Sequence, residues 1–219
     1  SDIFGPPVCV VLRHDIVARH RLRYDPRIVI GPDWEFFTRC TDFAEFGFLP
    51  DCTCLYRVHQ TNITARVDPA RRTESLAICR EKAIKTESFK ICSAETRVAV
   101  FYDLMINILH DHPKRAAAVA TWSQFAGLPT AEQGRLLRLM ASEAILRGSS
   151  EGDVSGWLQR AGALNPADRR TQLLALLFRL SPRLSQAVLW VKSPSRARAR
   201  EAAPFADLAR KPAGTGARL

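Results

Sequence analysis

Apolar and polar positions along this chain follow two different rhythms. Up to about position 64 the blocks are short and mixed, and they predict a strand at 8–12, a short helix near 14–20, a helix near 33–46 and a strand near 52–58. The run Val8 to Leu12 is almost continuously apolar, which predicts a strand buried on both faces. A strand of that kind needs neighbours to cover it. Because it stands almost at the start of the sequence, it reads as the opening of a truncated product. Gly31-Pro32 stops whatever precedes it and leaves Asp33 at the start of the next helix, where a carboxylate can accept backbone N–H bonds. Gly47, after Phe46, is placed to close that helix.

From about position 69 the spacing turns helical. Pro69 sits at a first helical position, and Leu76, Cys79, Ala83 and Ile84 form a stripe at three- and four-residue intervals. Val98, Phe101, Leu104, Met105, Ile108 and Leu109 form a second one. His112-Pro113 breaks the pattern, and Ala116 to Phe125 resumes it. Thr130-Ala-Glu-Gln133 reads as a capping box, while Asn165-Pro166 and Ser181-Pro182 each offer a capping side chain before a proline. Six or seven helices with short connections are expected. LQRAGALNPADRRTQLLALL faintly suggests a tetratricopeptide-like unit, but no second copy follows at that repeat's period. Three segments result: residues 1–66, mixed; 67–191, a helical hairpin array; and 192–219, a tail.

Composition adds a partner class. The chain has 219 residues, is 47% hydrophobic and 25% charged, and carries a net charge of +10, which suits a globular protein with anionic partners. Part of that excess lies in the Ala-, Pro- and Arg-rich tail, where Lys192, Arg196, Arg198, Arg200, Arg210, Lys211 and Arg218 face only Glu201 and Asp207. Such a tail is expected to be disordered and solvated, or to touch membrane or nucleic acid. No basic-then-apolar leader opens the sequence, and no window holds the roughly 18 apolar residues of a membrane span. Six cysteines without an export signal read as reduced thiols, so a cytoplasmic setting is expected, with peripheral membrane contact open to the tail.

Chemistry concentrates in GPDWEFFTRCTDFAEFGFLPDCTCLYRVHQTNIT, residues 31 to 64. VVLRHDIVARHRLRYDPRI, GPDWEFFTR and LYRVHQTNIT follow one another in the order of three segments of family 2 glycosyltransferases. In that family they are a strand with an Arg-rich turn and a Phe-Asp-x-x-Leu loop, a Glu-Asp-Trp-x-Leu-x-x-Arg helix start, and a Tyr-Arg-x-His-x-x-Asn-x-Ser turn. Roughly the first 64 residues thus resemble the C-terminal part of the catalytic domain of these inverting enzymes with an A-type nucleotide-sugar fold. The fold class implied is an α/β remnant, a partial A-type glycosyltransferase fold, followed by a mainly α-helical region, mostly α overall.

The resemblance implies a role for each matched residue. Asp33 would be the base that takes the proton from an acceptor hydroxyl as it attacks the anomeric carbon. The family's preceding Glu is Pro32 here, so its support for the base is lost. Trp34 would offer an aromatic face to a sugar ring, or else pack in the core. Arg57 would help neutralise the leaving diphosphate, and His59 would complete the shell of a divalent metal, Mg²⁺ or Mn²⁺. Tyr56 to Thr64 also suits a plain strand-to-helix junction, Asp33 a plain helix cap, and Glu35 a solvated or structural carboxylate. Partners would be a nucleotide-sugar donor and a glycan or lipid-linked acceptor. The family's Asp-x-Asp metal motif is absent from these residues, so a donor-binding N-terminal half or a partner subunit is expected to supply it. A zinc site from Cys40, Cys52, Cys54 and His59 fits poorly, because Cys-x-Cys on a strand points to opposite faces. His110 and His112 read better as a helix end than as ligands. The competing function is a non-catalytic basic helical protein binding nucleic acid or an anionic membrane surface.

Overall fold

The computed structural model describes residues 7–49, 51, 66–109, 112–148 and 151–192. All their regular structure is helical, and no strand occurs among them. The helices are α1 (His14–Arg19), α2 (Pro32–Cys40), α3 (Pro69–Ile84), α4 (Glu87–Ile91), α5 (Ala94–Ile108), α6 (Pro113–Val119), α7 (Ser123–Ala126), α8 (Thr130–Leu146), α9 (Glu151–Leu164), α10 (Arg169–Leu180) and α11 (Pro182–Lys192). The mostly helical expectation therefore holds, whereas the α/β character of the first segment has no counterpart among the described residues. The strand expected near 52–58 lies outside them, as does the tail beyond Lys192.

The strand expected at 8–12 is replaced by a 3₁₀ turn, Pro7–Cys9, followed by irregular chain. The amide of Val10 turns back to the Pro7 carbonyl at 3.2 Å. Val8 and Val11 remain 72% and 98% exposed. A strand's backbone groups need a paired neighbour, and no strand occurs among the described residues to supply one. Only Val10 and Leu12 find cover, against Leu22, Phe36, Phe37 and Cys40.

Helix α2 also ends earlier than its apolar pattern suggests, at Cys40 rather than near 46, so Gly47 is not its cap. The cause is a competing demand on the residues that follow. The Asp42 carboxylate accepts the amides of Glu87 (3.2 Å) and Ser88 (2.8 Å), capping α4 instead, and Phe43 stacks on His20 at 3.8 Å. At the other end Gly31 has φ +75°, a left-handed turn that favours glycine, and Pro32 starts the helix.

Capping explains most of the later boundaries. The Asp68, Thr86, Ser93, Asp168 and Ser181 side chains accept amides from Arg71, Phe89, Thr96, Arg170 and Leu184 respectively. Two expected caps are not formed. Helix α10 begins after Asp168, so Asn165-Pro166 caps nothing, and Thr130 is the first residue of α8 behind Pro129 rather than a cap. Its supposed box partner Gln133 turns inward, where its Nε2 donates to the Ala126 and Leu128 carbonyls at 3.0 and 2.8 Å. Burial of that amide between two loop carbonyls outcompetes a solvent-exposed cap.

The main core gathers α3, α5, α6, α7 and α8 around Phe101, Leu104, Met105, Phe125, Leu136 and Met140. Phe89, Phe101 and Phe125 meet edge to face, with centroids 6.1 and 5.7 Å apart. A second core joins Ala141, Ala144 and Ile145 of α8 to Val154 and Leu158 of α9 and to Leu174 and Phe178 of α10. Helices α8 and α9 come close together at Gly134, where an added Cβ would lie 3.1 Å from the Ala161 carbonyl oxygen. Since Phe101 is fully buried at the centre of the aromatic chain, Phe101→Ala is expected to destabilise the protein by about 3–5 kcal/mol in a denaturant titration.

Candidate active site

The first segment reaches the helical array through α2. Ile28, Ile78 and Cys79 form a small buried group against which Trp34 packs, so α2 and the preceding loop seat directly on α3. The amide of Val29 donates to Ser75 Oγ at 3.1 Å across the same seam. Contact thus crosses position 66, between the two segments the sequence separates.

Charge finishes what the apolar contact begins. Lys82 Nζ of α3 lies 3.0 Å from Asp25 Oδ2 and 2.8 Å from Glu35 Oε1. Arg39 adds a two-pronged bond to Glu35, through Nε to Oε1 and, at 3.0 Å, through a terminal nitrogen to Oε2. Arg27 binds Asp25 in the same forked manner from within the loop, at 3.0 and 2.7 Å. Glu35 is only 1% exposed. A carboxylate that far from water is tolerated because two cations meet it. Of the two readings open for Glu35, the structural one describes what is seen.

Asp33 is the second residue of α2 and partly exposed. Its Oδ1 accepts the Trp34 amide at 2.9 Å, so it takes backbone N–H from its own first turn while Gly31 occupies the cap position. Its charge reaches Tyr24, whose phenol is pushed up first by burial and then by Asp33. The Tyr24 ring in turn stacks on Phe36 at 4.6 Å. Cys79 lies on the other side, and burial pushes its thiol up to about 12. It is therefore a neutral, inert thiol, placed 3.6 Å from the Gly31 carbonyl.

Trp34 has the Arg80 guanidinium over its ring at 4.6 Å to the centroid. A sugar on that face would have to displace Arg80. Arg57 and His59 lie outside the described residues, as do Cys52, Cys54 and the whole Tyr56 to Thr64 turn. Among the described residues no three His, Cys, Asp or Glu side chains gather in a way that would hold a metal ion. The divalent metal implied by the resemblance thus finds no shell there.

Asp25, Lys82 and Arg39 were not candidates from the sequence. Asp25 sits in a loop motif and Lys82 lies in a separate helical stripe 57 positions away. Only the polar position of Lys82 beside the stripe Cys79, Ala83, Ile84 hinted that its head would find a partner at the edge of an apolar seam.

Comparison of the chain with protein-family models, with characterised proteins and with solved structures found no match.

Two outcomes follow from the ion network. Lys82→Met leaves Glu35 buried with one cation and should cost about 3 kcal/mol of unfolding free energy. Arg27 and Lys82 hold the Asp25 carboxyl well below the usual carboxylate range, so its contribution is complete above the unfolded value of about 4 and is lost as pH falls below it. Denaturation midpoints taken between pH 7 and pH 3 should therefore drop less steeply for Asp25→Asn than for the parent.

Proposed function

We propose that residues 8–64 are the acceptor side of an inverting sugar-transfer site, with Asp33 as its base. The carboxylate takes the proton of an acceptor hydroxyl while that oxygen attacks the anomeric carbon; the bond to the nucleoside diphosphate breaks on the opposite face. What supports the reading is that two of the three motif segments meet around Asp33. Tyr24 of the YDPRI loop stacks on Phe36 of the GPDWEFFTR helix, and Lys82 bridges Asp25 of the first to Glu35 of the second. The base thus sits on a helix turn anchored through Lys82 of α3, with Asp33 itself partly exposed. The divalent metal, Mg²⁺ or Mn²⁺, would be held by the Asp-x-Asp of the donor-binding half with His59 completing its shell, while Asp33 takes the acceptor proton. His59 and Arg57 keep their proposed places near the diphosphate, and the donor-binding half, with its Asp-x-Asp, would come from beyond these 219 residues or from a partner subunit.

A second reading is favoured by the last two helices. Leu180, Leu184, Trp190 and Val191 stay exposed, Trp190 at 62%, immediately before the basic tail. An apolar edge followed by cations suits an anionic membrane surface better than nucleic acid. No helix among the described residues is long and apolar enough to cross a membrane.

The two readings are separated by two measurements. With an Asp-x-Asp-bearing donor half restored, Asp33→Asn should lower release of nucleoside diphosphate by a hundredfold or more, in the range of a lost general base; equal turnover would remove Asp33 from that role. For the second reading, binding of the chain to vesicles rich in anionic lipid should weaken steeply between low and physiological salt. Preference for nucleic acid over those vesicles would dismiss the membrane version.

A further inference from the structure

A hollow of about 500 Å³ lies between α5, α8, α10 and α11, and no residue of α2 lines it. Its lining is sorted along its length. One end holds Tyr102, Arg135, Arg138 and Arg170. Away from it lie Leu146, Leu177, Val188 and Leu189, half-buried side chains whose remaining surface faces the hollow. The direction follows from the packing: Arg138 pairs with Asp168 at the start of α10, while Ile145 packs with Phe178 near its end. Gln186 Nε2 donates to the Leu146 carbonyl at 3.1 Å and ties α11 across the end of α8.

The basic end carries more cation than its acids balance. Arg138 is committed to Asp168 and to Thr171 Oγ1, at 3.1 Å from the latter. The Arg135 guanidinium lies over the Tyr102 ring at 5.2 Å and is loosely paired with Glu132 at 3.7 Å. Arg170 adds a third guanidinium, for which no acidic partner occurs among the described residues, and its charge is felt at Arg138. The Tyr102 hydroxyl is buried without a hydrogen-bond partner there. Burial, foremost, pushes that phenol up, so it stays an O–H donor at neutral pH. The same end buries the Glu132 Oε2 atom without a hydrogen-bond partner among the described residues, so three guanidiniums, of Arg135, Arg138 and Arg170, stand against two carboxylates, of Glu132 and Asp168, and the surplus cation is what an anion would balance.

We propose that this groove binds a single-chain amphiphile with an anionic head, its carboxylate or phosphate held by the exposed Arg135 and Arg170, and its alkyl chain laid along Leu146, Leu177, Val188 and Leu189. From Arg135 to Leu146 helix α8 rises about 16 Å, the reach of an extended alkyl chain of roughly a dozen carbons. A lining divided almost evenly between polar and apolar surface matches a ligand that has both a charged head and a hydrocarbon chain. The site is independent of the sugar-transfer reading, since its lining comes from α5, α8, α10 and α11 and includes no residue of that reading.

The test uses the full 219-residue chain and calorimetric titration below the micellar range. Dodecanoate and dodecyl phosphate should each bind at one per chain, and the tighter of the two identifies the head. Dodecanol, dodecyltrimethylammonium, acetate and inorganic phosphate should all bind at least tenfold more weakly. Arg135→Glu combined with Arg170→Glu alters two exposed side chains and should weaken the anionic ligands at least tenfold at an unchanged unfolding midpoint. Equal affinity for neutral, cationic and anionic heads would overturn the proposal. So would undiminished binding by the double variant, or association with anionic vesicles alone and never with the monomeric amphiphile.

Discussion

Everything the first forty residues do depends on one ammonium group. Lys82 places its charge between Asp25 and Glu35, two carboxylates from different parts of the chain, in a seam whose other members are Ile28, Ile78 and Cys79. Without that cation the loop and α2 would present two acidic groups to an apolar surface and to each other. With it they form one docked unit, and Arg39 and Arg27 complete the remaining lone pairs. The orientation of α2, and with it the exposure of Asp33, is a consequence of that neutralisation.

The same principle governs how the surplus positive charge is divided. Arg39 and Arg115 are spent inside, the latter on Glu74 and Glu81 of α3 at 2.7 and 2.5 Å. Their role is architectural. Arg170 and the basic residues near the C-terminal end have no such employment among the described residues, and they adjoin exposed leucines and Trp190. Cation held within helical seams and cation offered outward occur in both halves of the chain, with Arg21 and Arg23 exposed early as Arg170 is late, and Arg138 held inside beside it. A net charge of +10 alone does not reveal this division.

Much of the helical region was legible because its apolar stripes are long and regular. In the stripe Val98, Phe101, Leu104, Met105, Ile108 and Leu109 every member but the half-buried Val98 is buried, and Pro69 and Pro113 start helices as their position suggests. The misreadings share a physical cause: in each, a short local signal met a longer-range demand. Val8 to Leu12 has strand composition, yet composition cannot supply a pairing partner. Phe43 and Phe46 continue the α2 pattern on paper, yet Asp42 is drawn off to the amides of Glu87 and Ser88. Thr130 and Gln133 have the spelling of a capping box, but the glutamine amide answers two loop carbonyls instead. The candidate site was half legible for the same reason. Asp33 announces itself after Gly31-Pro32, whereas Lys82 acquires meaning only when α3 is laid beside α2.

Gly134 carries a further implication. Helices α8 and α9 touch there almost main chain to main chain, with the Ala161 carbonyl where a methyl group would begin. Their spacing is consequently set by a hydrogen atom, and the neighbouring side chains inherit it. Arg135 and Arg138 leave α8 within one turn of this contact, so the height at which their guanidiniums stand above the groove is fixed by the smallest residue on the helix. In this molecule the position of charge at one face is dictated by the absence of a side chain on another.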